Sequence, residues 1–165
     1  MAMNEKIRLI IDTDPGQDDA AAILAAHGLA RRGLVDLLGM TVVADNVGMD
    51  LTAKNACIIC DWAGEEDFPL LRELETAEAV HGKTGLDGTA LHEPRCPLQK
   101  QHAVAYLVET LSRAEDASIT LCPIGPLTNI ALALSIAPES VRAIKRIVLM
   151  GGNYFEAGNM TPAAE

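Results

Sequence analysis

Positive charge is scarce in this chain and nowhere concentrated. Thirteen Lys and Arg stand against 23 Asp and Glu, a formal net charge of −10. The basic residues are scattered, and so acidic a chain repels a phosphate backbone, which argues against nucleic acid as a partner. Long hydrophobic runs are missing as well. The longest mostly apolar stretch, Ala20 to Ala30, contains His27 and falls short of the roughly 20 residues of a membrane span. Met1 to Lys6 has no basic region leading into an apolar core with a small-residue cleavage site. A soluble, cytoplasmic protein with no membrane partner is expected.

Cysteine is sparse, at four residues. A chain without an export signal and with 49% hydrophobic residues does not need disulfide staples, so reduced thiols are expected. Cys57 and Cys60 form a CxxC, but no second Cys or His pair follows at zinc-like spacing. Core packing inside a helix is the expectation for both.

The 165 residues suffice for one domain with one substantial core. Ile7–Thr13 reads as a strand closed by Pro15-Gly16, and Asp18–Arg32 as a helix ending at Gly33. The alternation continues: strand Leu34–Ala44, helix Asp50–Trp62 (with the CxxC inside it), short strand Phe68–Leu71, helix His102–Ala114, strand Ser118–Pro123, helix Leu127–Ile136 and strand Ile144–Met150. Alternating strands and helices predict an α/β fold, a mostly parallel sheet with helices on both faces. The continuous apolar run Ile147-Val148-Leu149-Met150 suits the sheet's interior. Between Glu73 and Gln101 the periodicity fails, leaving a loop long enough to suspect function. Thr161-Pro162 reads as a helix start, yet only three residues follow, too few for a stable turn. The fold is therefore expected to be truncated.

Asp12, Asp14, Asp18 and Asp19 crowd the end of the first strand and the start of the first helix. Strand alternation places Asp12 and Asp14 on one side. The helix dipole favours the other two by about 0.3–1 kcal/mol each, whereas two charges ~5 Å apart repel by roughly 3 kcal/mol at an effective dielectric near 20. Helix capping accounts for one or two of the four, and the cluster as a whole calls for a cation. Oxygen ligands select Ca²⁺ or Mg²⁺. The carboxyl ends of the strands are also where open α/β sheets bind ligands.

The stretch Ile10-Ile11-Asp12-Thr13-Asp14-Pro15-Gly16-Gln17-Asp18-Asp19-Ala20 resembles the hallmark motif of the inosine-uridine nucleoside hydrolase family. Three further motifs follow in the family's order: His81-Gly82 with Gly85-Leu86-Asp87-Gly88, Pro123 to Ala131, and Leu149-Met150-Gly151-Gly152 leading to Gly158-Asn159. The resemblance spans the whole chain and implies a nucleoside-hydrolase, Rossmann-like fold, with residues 1–165 the amino-terminal part of a single domain. It implies Ca²⁺-dependent cleavage of the N-glycosidic bond of ribonucleosides. Asp14 and Asp19 match metal ligands, Ile124 matches a position that ligates through its backbone carbonyl, and Asp14 also matches the general base. Asp18 matches the carboxylate that holds the ribose hydroxyls, with Asp12 in support. Asn159 and Glu165 match residues near the sugar's far hydroxyl, His81 a residue on the nucleobase side, and Met150 a pocket-lining residue. A loop-shaping role remains open for His81, and a core role for Met150.

Two departures from the family pattern stand out. After Thr41-Val42-Val43 the family has Gly-Asn, whereas here Ala44-Asp45 is followed by Asn46, so either Asp45 or Asn46 takes the ribose-side place. Family members are also about twice as long, and the absent part supplies a further calcium-binding Asp and a His that protonates the leaving base. The partners expected are a ribonucleoside and, across the unfinished sheet, a second copy of the chain or the missing C-terminal segment. A non-catalytic metal-binding or interaction module of the same fold is the alternative. The haloacid dehalogenase type of Mg²⁺-dependent phosphohydrolase also begins with a strand ending in Asp-x-Asp. It requires a small hydroxyl residue where Gly16 stands, and it leaves Asp18 and Asp19 unexplained.

Overall fold

A computed structural model describes residues 6–73, 84–86, 91–152 and 155. The order is β1 (Ile7–Thr13), α1 (Gln17–Arg31), β2 (Val35–Val42), α2 (Met49–Trp62), β3 (Leu70–Arg72), α3 (Ala103–Arg113), β4 (Ile119–Pro123), α4 (Thr128–Ile136), a 3₁₀ turn (Pro138–Ala143) and β5 (Ile144–Ile147). The five strands form one sheet in the order β3-β2-β1-β4-β5, and every neighbouring pair is parallel. The chain first winds outward from β1 to β3, then returns to lay β4 against the other side of β1. The strand order thus reverses between β1 and β4, and at such a switch point the loops diverge to leave a crevice.

The period-two alternation of β1 distributes its side chains between two cores. Ile11 joins Met40, Val42 and Leu70 of the sheet with Ile23 of α1 and Ile59 and Cys60 of α2. Ile10 points the other way, among Leu107 and Leu111 of α3, Leu121 of β4 and Ile130 of α4. Ile10, Ile23, Ile59, Leu107 and Leu121 are at most 1% exposed, and each contributes roughly 1.5–3 kcal/mol of hydrophobic stabilisation. α1 stops at Gly33, whose φ of +73° lets Gly33 N bond to Ala30 O and Leu34 N to Leu29 O, the Schellman arrangement that glycine permits at little cost.

The apolar run at 147–150 departs from its expected place. β5 ends at Ile147 and is the outer strand of the described sheet. Ile147, Val148, Leu149 and Met150 are 40–53% exposed. Val148 N and Met150 N still bond to Leu121 O and Pro123 O, so the backbone continues along β4. Among the described residues no strand pairs its far side and no helix covers it. The sequence carries an interior pattern, and the strand stands at an edge. The 3₁₀ turn is the element that periodicity missed, because six residues are too few to show a repeat. No described helix is long and apolar enough to cross a membrane.

Candidate active site at the β1 and β4 switch point

Asp12 closes β1 and is 1% exposed. Its Oδ1 accepts hydrogen bonds from Thr41 Oγ1 (2.5 Å) and Asn129 Nδ2 (2.9 Å), while Oδ2 is buried without a partner. Burial drives its pKa up to about 7 against the downward pull of those two bonds, with a smaller push from Glu73. Asp12 therefore addresses the β2 and α4 side of the crevice. The expected crowding of all four carboxylates is narrower in the structure.

The crowded pair is Asp14 and Asp19. Asp14 is 4% exposed and Asp19 3%. Burial and then the charge of Asp19 push Asp14 up to about 7, with Asp45 adding to the rise and the Asn46 N–H opposing it. Burial also raises Asp19, against hydrogen bonds from Thr13 and Gly16. Thr13 Oγ1 donates to Asp19 Oδ1 at 2.7 Å, and Gly16 N donates to Asp19 Oδ2 at 3.0 Å. The second bond is the reciprocal half of a capping box, in which the third helical residue satisfies the N–H at the helix start. Asp19 thus fills the plain structural role of a cap, and each of its carboxylate oxygens keeps a second lone pair for a ligand.

Asp14 is held from two sides. Asn46 N donates to its Oδ2 at 3.1 Å, and Asn46 Nδ2 donates to its backbone O at 2.8 Å. From β4, Ile124 N reaches back to Asp12 O at 2.8 Å, which brings the next residue, Gly125, against Asp14. A Cβ on Gly125 would lie 2.6 Å from Asp14 Oδ1 and 3.0 Å from Asp14 N. The close approach requires glycine. On the far side of the turn, Asn55 Nδ2 of α2 donates to Pro15 O at 3.2 Å and to Thr84 O at 2.7 Å, tying the Pro15-Gly16 turn to the 84–86 segment.

The structure brings together Asp12, Asp14, Asp19, Asn46 and Ile124. Asp18 is exposed in the first turn of α1, and Asp45 is exposed beside the half-buried Asn46. Met150 is bonded to the end of β4 through its N–H and is 40% exposed. His81, Asn159 and Glu165, together with the helix start at Thr161, lie outside the described residues. Among the described residues no group of three or more His, Cys, Asp and Glu converges as a metal site. The donors fit a hard cation in kind, since two carboxylates raised by burial, Asp14 also by the charge of Asp19 and Asp19 by that of Asp18, are relieved by positive charge, but they supply only part of its shell. Thr13, Thr41, Asn55 and Asn129 position these groups. Asn129 stands in the Pro123–Ala131 motif, Thr13 in the Ile10–Ala20 motif and Thr41 in the Thr41-Val42-Val43 stretch, whereas Asn55, inside α2, gave no such signal.

The sequence matches the inosine-uridine preferring nucleoside hydrolase family over residues 9–165. This chain belongs to that family. An uncharacterized protein of Schizosaccharomyces pombe is 46% identical over 96% of this chain and 53% of its own length. A pyrimidine-specific ribonucleoside hydrolase of Escherichia coli is 43% identical over 98% of this chain and 52% of its own length. Among solved structures, a plant nucleoside hydrolase superposes with a TM-score of 0.85 at 32% identity, covering 96% of this chain and 52% of the other. The fold is that of nucleoside hydrolases, an enzymatic and generally metal-dependent family, and the chain spans about half the length of the curated relatives it matches.

Proposed function

We propose that this chain supplies the cation- and ribose-binding side of a nucleoside hydrolase site. Together with the second half of the fold, it cleaves the N-glycosidic bond of ribonucleosides to ribose and free base. Residues 1–165 are then the amino-terminal part of one domain. The observation that carries this reading is the buried Asp14 and Asp19 pair at the β1 and β4 switch point. Two carboxylates side by side with raised affinity for protons are poised for a divalent cation, and their hard oxygen donors, joined by the Ile124 carbonyl, favour Ca²⁺. Bound there, such a cation supplies Lewis-acid activation of water near neutral pH.

Asp14 would take the proton as water attacks the anomeric carbon. Burial and the charge of Asp19 raise its pKa without a cation, and a bound cation would offset that rise and keep Asp14 ionised at neutral pH, as a general base requires. Asp18 and Asn46 would hold the ribose hydroxyls. Asn46 suits that place better than Asp45, because Asn46 alone is bonded to Asp14 by both backbone and side chain. Asp12 acts through position, braced by Thr41 and Asn129. Asn159 and Glu165 on the sugar, His81 on the base and Met150 along the pocket complete the assignment, resting on their places in the family motifs. Contacts that tighten as the ribose ring flattens would favour the transition state over bound substrate.

A second reading, a non-catalytic cation-binding module, draws support from the convergence of only two carboxylates among the described residues. Ribose release from uridine and inosine separates the two. The chain is assayed with Ca²⁺ alone and after co-expression with the carboxyl-terminal half of the E. coli relative. Release by the combined halves is expected, falling by roughly 10²–10⁴-fold in Asp14→Asn. Release undiminished by that change would overturn the assignment of Asp14, and failure of the combined halves to act would favour the second reading.

A further inference from the structure

The buried face of α2 is mostly small or aliphatic, yet Asn55 lies in its middle and is 1% exposed. An amide so placed is unfavourable in a helix interior, and its burial is costly unless its donors are satisfied. Both donors are used outside the helix. Nδ2 donates to Pro15 O at 3.2 Å and to Thr84 O at 2.7 Å, so one side chain grips the turn after β1 and the 84–86 segment together. The approach is close. A Cβ on Gly85, whose φ is +79°, would lie 2.8 Å from Asn55 Nδ2, 3.3 Å from Pro15 O and 3.4 Å from Val47 Cγ2. Val47 in turn follows Asn46, which donates to Asp14 Oδ2.

The Pro15 oxygen that Asn55 holds belongs to the same peptide unit as the Gly16 nitrogen. Across that planar trans unit the N–H points the opposite way and donates to Asp19 Oδ2 at 3.0 Å, while Thr13 Oγ1 holds Asp19 Oδ1 at 2.7 Å. Asn55, the Pro15–Gly16 peptide and Asp19 therefore form two hydrogen bonds in series. A donor on the peptide oxygen polarises the unit and strengthens its N–H as a donor.

We propose that Asn55 is a positioning residue of the cation site, setting Asp19 through the Pro15–Gly16 peptide and joining that setting to the 84–86 segment. The inference rests on the reading of Asp14 and Asp19 as the cation pair. Asn55 acts through the peptide and is not itself a ligand.

The coupling runs both ways. A cation that draws on Asp19 draws on the Gly16 N–H, and through Asn55 the change reaches Thr84 O. Whatever orders the 84–86 segment then favours the cation, and the cation favours that order by the same factor. An amide that only fastened a loop to α2 would add to stability and leave the cation affinity of the folded chain as it was.

The test is a Ca²⁺ titration of the isotope-labelled 165-residue chain, followed through its amide NMR resonances in the parent, Asn55→Leu and Thr52→Val. Asn55→Leu removes both donors at nearly the same volume. Thr52→Val is the control, because Thr52 is as deeply buried one turn earlier on α2 but donates its hydroxyl to Met49 O at 3.0 Å, within the helix. Affinities are compared at a temperature where each chain is fully folded. Ca²⁺ should bind Asn55→Leu roughly 10-fold or more weakly, the loss typical of residues that orient a metal's ligands, and should bind Thr52→Val as it binds the parent. In the parent, the Asn55 side-chain amide and the Gly85 N–H should shift with the same midpoint as Asp19.

Parent affinity in folded Asn55→Leu, or an equal loss in Thr52→Val, would overturn the proposal. Where Asn55→Leu fails to fold, the parent decides, and an Asn55 amide that stays unmoved while Asp19 responds overturns it. An Asp19 resonance indifferent to Ca²⁺ in the parent removes the cation reading first, and the proposal with it.

Discussion

Asn129 of α4 places its Nδ2 2.9 Å from Oδ1 of Asp12 at the end of β1, a hydrogen bond between residues 117 positions apart. The same amide group reaches Val42 O on β2 at 3.3 Å. One side chain therefore links the two strands and the helix that enclose the crevice, and both partners are at most 1% exposed.

Removing that link should be costly. Asn129→Ala leaves Asp12 with a single donor and Val42 O without its side-chain partner, so unfolding free energy should fall by about 1–3 kcal/mol. Urea denaturation measures it. The coupling to Asp12→Asn in a double-mutant cycle should be well above the few tenths seen for independent sites.

Gly125→Ala tests the closeness of β4 to Asp14. The new methyl would meet Asp14 Oδ1 at 2.6 Å and Asp14 N at 3.0 Å, so the carboxylate, held by Asn46 N, would have to turn away or the backbone to shift. A loss of about 1–3 kcal/mol is expected, seen as a lowered melting temperature. A variant as stable as the parent would show that the crevice is wider than drawn.

Stability should depend on pH in an unusual direction for carboxylates. Asp12 and Asp14 have pKa values raised from 3.8 to about 7 in the folded protein. Between those values the folded state binds more protons than the unfolded chain, so unfolding free energy falls as pH rises. Without added cation, the chain should lose stability from about pH 4 to about pH 7, with the contribution gone above the folded pKa. Asp12→Asn should flatten the slope. Denaturation midpoints across that range check it, and a slope of the opposite sign contradicts the assigned burial.

The sheet, its parallel sense and the place of the carboxylates were legible in the sequence because each rests on a local pattern. β1 alternates Ile10 and Ile11 between two cores, and Pro15-Gly16 marks the turn. What was not legible is pairwise and long-range. Asp12 looked like a fourth member of a cation cluster, and only the fold shows Thr41 and Asn129 turning it toward β2 and α4. Asp45 and Asn46 stood as alternatives in the sequence, and the bonds from Asn46 to Asp14 appear only in the fold. The run Ile147 to Met150 carries the composition of a covered strand, whereas exposure depends on what packs beside it.

The central claim is that Asp14 and Asp19 form a divalent cation site, and calorimetric titration of the 165-residue chain with Ca²⁺ at pH 7.5 or so tests it most directly. With only two carboxylates converging among the described residues, binding should be weak, with a Kd of roughly 10⁻⁴–10⁻³ M. It should release protons and be lost in Asp14→Asn. An absence of binding heat, or binding that is tight and indifferent to Asp14→Asn, would contradict the account.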